Sequence, residues 1–86
     1  MEMFGYEKES STLMHLKEVA LQASPSLLRK MAAFILTCAD EMERREKWEH
    51  RHLSDFLRED GIEDEIKGVD LIVASEMLRD KTPGSN

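Results

Sequence analysis

His50 and His52, with Glu46, Glu49 and Asp55 close by in the chain, are the residues whose types and spacing come nearest to a chemical site. On a β-strand, side chains two apart share a face, so the two imidazoles could hold one metal ion together with a carboxylate. On a helix they would point about 200° apart and could not. His50 and Glu46 are four apart and would meet only on a helix, so the two arrangements exclude each other. Surface or interface histidines are the expectation, and His50 and His52 stand as metal candidates only in a third-ranked reading; no cofactor is expected. His15 has no spaced partner and is expected to have a simple structural or surface role. Cys38 falls among apolar residues with no basic neighbour one turn away to lower its pKa, which predicts a packed, inert thiol. Ser24 and Ser26 flank a helix start whose free N–H groups could hold an anion, but capping explains Ser24 fully. There is no phosphate-cradling glycine loop and no nucleophile elbow, so the expectation is that the chain is not an enzyme. Trp48, beside Glu49-His50-Arg51-His52, combines apolar area with polar neighbours, and both a core or hinge role and a partner-contact role are open to it.

The 86 residues suit one domain, with 41% hydrophobic and 35% charged side chains. That composition argues against global disorder. One cysteine excludes a disulfide framework and a multi-cysteine metal site. No apolar run approaches the roughly 20 residues of a membrane span, and Met1-Glu2-Met3 does not open a signal peptide, so a cytoplasmic protein is expected. The net charge is −6, and eleven acidic against five basic residues between Asp40 and Glu65 account for all of it. No basic stripe with interleaved aromatics is present, so direct nucleic-acid binding is not expected.

The elements that must position these residues follow from periodicity and punctuation. Residues 1–12 form an arm or edge strand, with Met3, Phe4 and Tyr6 before the break at Ser10-Ser11-Thr12. Leu13 to Ala23 fits either period, and Ser24-Pro25 arbitrates: an N-cap followed by proline at the first helical position starts a fresh helix, leaving a strand over roughly 14–22. From Pro25 to about Lys47 the apolar positions fill an arc of about 200°, twice what a helix lying on one sheet needs. Ala32, Leu36 and Ala39 on the flank of that arc suggest a second contact surface, and are predicted to form an oligomer interface. Residues 48–60 fit a short strand or a helical turn. Gly61 and Gly68 bracket an acidic connection, Val69 to Ala74 is a β-rich run, and Glu76 to Arg79 adds a turn before a frayed tail over 80–86. The predicted fold class is α+β: a β-α-β core over 13–79, with one long amphipathic helix packed on a small sheet of two to four strands. A sheet so thin is marginal in water, and a homodimer would complete it.

The order of motifs resembles a family of small bacterial proteins. The residues that carry the likeness are Leu16-Lys17-Glu18-Val19-Ala20-Leu21, Ser24-Pro25-Ser26-Leu27-Leu28-Arg29, Ala33-Phe34-Ile35-Leu36 and Cys38-Ala39-Asp40-Glu41-Met42-Glu43. It continues through Trp48-Glu49-His50-Arg51-His52 and Asp70-Leu71-Ile72-Val73, so that it spans roughly residues 14–75. The family is the immunity proteins of bacterial polymorphic toxin systems, encoded beside a toxin gene. The resemblance implies a non-enzymatic inhibitor that occupies or covers a toxin's active site. Many such toxins are nucleases with basic clefts, which an acidic surface would complement. The expected surface is Glu43, Glu46, Glu49, Asp55, Glu59 and Asp60, with Trp48 as its apolar anchor. The competing expectation is a structural or regulatory homodimer, in which the wide helical arc is used for self-association.

Overall fold

A computed structural model describes residues 1–76, and the end of the turn expected at Glu76 to Arg79 and the tail over 80–86 lie outside the described residues. The protein is a small α+β fold: β1 (Met3–Gly5), β2 (Met14–Leu16), α1 (Pro25–Arg44), β3 (His50–His52), α2 (Leu53–Arg58), a 3-10 turn (Glu63–Ile66) and β4 (Ile72–Ala74). The strands do not share one sheet. β1 pairs antiparallel with β2, and β3 pairs antiparallel with β4.

The strand expected over 14–22 is three residues long. Met3 lies opposite Leu16, Phe4 opposite His15 and Gly5 opposite Met14, so the pairing ends at Leu16, where β1 begins, and residues 17–22 pair with no strand among the described residues. Alternation holds over the paired stretch: Met14 and Leu16 are half-buried, while His15 points the other way and stacks on Phe4, with ring centroids 4.8 Å apart. None of the residues in this hairpin is fully buried, and Phe4, Tyr6 and Leu13 are exposed.

Helix α1 starts where punctuation placed it. The Ser24 hydroxyl accepts a hydrogen bond from the Leu27 N–H at 3.1 Å, which caps the helix, and Pro25 opens it. It ends at Arg44, three residues before the expected Lys47. Trp48 is the reason. Continued as helix, the chain would carry Trp48 about 10 Å along the axis from Glu41. Instead Arg45 turns to extended backbone and Trp48 folds back beside Glu41.

The core is a layer between α1 and the C-terminal half of the chain. Leu27, Met31, Phe34 and Cys38 face Trp48, Leu53 and Leu57, with Phe56, Ile62, Ile66, Leu71 and Val73 packed around them. Phe34 and Phe56 meet at 5.4 Å in a tilted aromatic pair. The segment that fitted either period proves to be both, a strand running directly into a helix. Its end uses Gly61, at φ +71°, which frees the Ile62 N–H to bond the Leu57 carbonyl.

Only part of the wide apolar arc of α1 meets this core. Leu28, Ile35 and Leu36 remain 40%, 47% and 63% exposed, and Ala32 and Ala39 beside them are exposed as well.

Candidate functional site

The charged segment is organised around Glu41, in the last turns of α1. One carboxylate oxygen accepts from the Trp48 indole N–H at 2.8 Å and the other from Arg51 at 3.1 Å. Arg51 reaches on to Glu59 at 3.4 Å and lies over the Phe56 ring at 5.8 Å. The Trp48 hydrogen bond, helped by Arg51, holds the Glu41 carboxyl below its ordinary pKa in spite of its partial burial. The cluster ties the last turns of α1 to β3 and closes one side of the core. Trp48 is itself a core residue, 8% exposed and with its polar atom satisfied. Its burial matches the core or hinge role open to it, and it does not project from the surface as an apolar anchor. It forms instead part of the floor of a shallow depression, rimmed by Arg45, Lys47, Glu49, His50 and Arg51.

The six carboxylates expected to form an acidic surface divide into two sets. Asp55 pairs with Arg58, Glu59 with Arg51 and Asp60 with Lys30. These are exposed ion pairs whose own contribution to stability is small, about 0–1 kcal/mol each, but they neutralise half of the proposed surface. Glu43, Glu46 and Glu49 are exposed and have no ion pair among the described residues.

His50 and His52 do share a face of β3, and their rings meet edge to face at 5.4 Å. The strand alternative was the one compatible with a shared metal, yet His52 Nδ1 turns to Asp70 at 3.1 Å. No group of three or more His, Cys, Asp or Glu among the described residues is arranged to hold a metal ion. With α1 ended at Arg44, the helical pairing of His50 with Glu46 does not form. His15 contacts Glu2 at 3.2 Å across the hairpin. Cys38 is fully buried, and burial pushes its thiol pKa up against the opposing pull of Arg51.

Asp70 is the second residue that sequence reading missed, since it sat inside a run taken for strand. The N-cap position of α2, His52, supplies no side-chain cap. Asp70 supplies it from across the fold, accepting from the Ser54 N–H at 2.9 Å, the Ser54 hydroxyl at 2.8 Å, the Leu71 N–H at 2.9 Å and His52. Burial alone would raise its pKa, but the four hydrogen bonds together outweigh burial and lower it. A carboxylate with a folded-state pKa below its unfolded one stabilises fully above about pH 4 and loses that contribution as the pH falls through the folded value. Asp70→Asn is therefore expected to cost about 1–2 kcal/mol at pH 7. It should also shrink the loss of stability between pH 5 and pH 3, read by urea titration at each pH. An unchanged acid limb would remove Asp70 from the cap.

No protein-family model, curated protein or solved structure matches the chain. No helix among the described residues is long and apolar enough to cross a membrane.

Proposed function

We propose that the chain works by binding a protein and turns over no substrate, as the immunity partner of a bacterial toxin, which is the class its motif order resembles. The observation that supports this reading best is the set of exposed carboxylates that have no ion pair among the described residues where α1 ends, Glu43, Glu46 and Glu49, which alternate with Arg44, Arg45 and Lys47 in the segment that carries the whole net charge of −6. The net −6 of the whole segment from Asp40 to Glu65 attracts a basic cleft over the Debye length and speeds encounter, and these three carboxylates are the ones free to pair with it. The ion-paired Asp55, Glu59 and Asp60 contribute shape more than field, and Trp48 holds the patch in place from beneath.

The test is the toxin encoded beside the gene, titrated against wild type and against Glu46→Lys/Glu49→Lys. Association should slow by about tenfold at low salt and lose most of its salt dependence, while the circular dichroism spectrum stays unchanged. Binding that survives both reversals at the wild-type rate would sink the acidic docking surface. A separate reading, a homodimer, is favoured by a different face of the molecule.

A further inference from the structure

The exposed part of α1 has a pattern of its own. Leu28, Ala32, Ile35 and Ala39 succeed one another at spacings of four, three and four, the seam spacing of two helices packed side by side, and Met42 continues it. Large and small residues alternate along the seam. Of its two flanks, one is Met31 and Cys38, turned into the chain's own core, and the other is Arg29, Leu36 and Glu43, all exposed.

We propose that this stripe is a self-complementary interface at which α1 packs antiparallel on α1 of a second copy, about a twofold axis near residues 33 and 34. In that register Leu28 faces Ala39 of the second copy and Ile35 faces Ala32, so every layer sets a large side chain against a small one and the helices can approach closely. Side chains lean toward the N-terminus of their own helix. The open flank therefore brings Leu36 toward Leu36 of the second copy and Arg29 toward Glu43 at each end. Arg29 and Glu43 have no ion pair among the described residues. A parallel pair would stack Ala32 on Ala32 and Ile35 on Ile35, which no single helix separation satisfies. It would also require the flank that is buried in the core.

Beyond Ile35 the stripe continues into an apolar groove between α1 and the N-terminal hairpin, lined by Leu16, Val19 and Leu21 among others. The assignment takes Glu43 from the toxin-facing patch and leaves Glu46 and Glu49 there, so the two proposals fail independently.

Equilibrium sedimentation of the full chain tests it. Wild type should run at twice its 9.9 kDa. Ala39→Arg, at an exposed position, should run as a monomer with an unchanged helical spectrum. Arg29→Glu and Glu43→Arg should each weaken the dimer by about tenfold, and the double variant, which restores both pairs with reversed sign, should recover it. A monomeric wild type at tens of micromolar overturns the proposal. So does a dimer indifferent to Ala39→Arg, and failure of the double variant to recover overturns the antiparallel register.

Discussion

Phe34→Ala is expected to abolish cooperative folding at ambient temperature or leave a chain that melts some 15–30 °C lower. Phe34 is fully buried, sits midway along α1 and meets Phe56 of α2. Truncating such a ring removes its transfer free energy and leaves a cavity, at a cost of about 3–5 kcal/mol. A chain of this length has roughly 4–13 kcal/mol in total. Among the described residues the buried apolar set is only seven, and none comes from the N-terminal hairpin, so little remains to absorb the loss. Urea titration followed by Trp48 fluorescence measures it, at a fixed protein concentration because self-association would add to the apparent stability. Phe34→Leu should fall between the two. Leu36→Ala, at a position 63% exposed, should leave the stability of the monomer within about 0.5 kcal/mol of wild type. A Phe34→Ala protein within 1 kcal/mol of wild type would mean that the core is elsewhere.

What could be read along the chain was what depends on neighbours in sequence. Ser24 and Pro25 act within one turn, so the start of α1 was legible to the residue. The apolar arc of α1 was legible too, and so was its excess. Which half of that arc meets the core was not, because Leu27 and Leu28 are equally apolar and only the position of α2 separates them. The end of α1 depends on Trp48 folding back on Glu41, and the division of the strands into two sheets depends on partners further along the chain. β2 stops where its partner β1 begins, at Met3, and α2 begins where it does because a carboxylate sixteen residues beyond Ser54 caps it. A six-residue helix carries too little periodicity to reveal itself, and its missing local cap hid it further.

The charge count had the same limit. Counting located the net −6 between Asp40 and Glu65, but a formal sum does not distinguish a carboxylate held by an arginine from one that faces water alone. Glu41, Glu59 and Arg51 form one network joined across three elements. Glu43, Glu46 and Glu49, of the same residue type, stay outside it. A partner meets the second set as single charges and the first as pairs, and the spacing of acidic residues gives no hint of the division.

Trp48→Ala is expected to cost about 3–5 kcal/mol of stability, as much as the loss of Phe34, whereas Trp48→Phe should cost about 1–2 kcal/mol. The two variants separate what the side chain does. Its ring belongs to the buried set that packs against α1, and phenylalanine keeps much of that area. Its N–H is the main donor to Glu41, and phenylalanine removes it and leaves a partly shielded carboxylate oxygen to water or to Arg51. Glu41→Gln keeps an acceptor for the indole but gives up the charge that Arg51 faces. Because Trp48 and Glu41 are in contact, Trp48→Phe/Glu41→Gln should depart from additivity by at least about 0.5 kcal/mol. Circular dichroism must follow these titrations, since Trp48 is the chain's one tryptophan. A partner-contact tryptophan would behave in the opposite way: its truncation would leave folding within a few tenths of a kcal/mol and weaken binding by about 2 kcal/mol or more. Burial, the satisfied N–H and the turn that brings Trp48 back to Glu41 all favour the first outcome, in which partner binding per folded molecule is unchanged in Trp48→Phe.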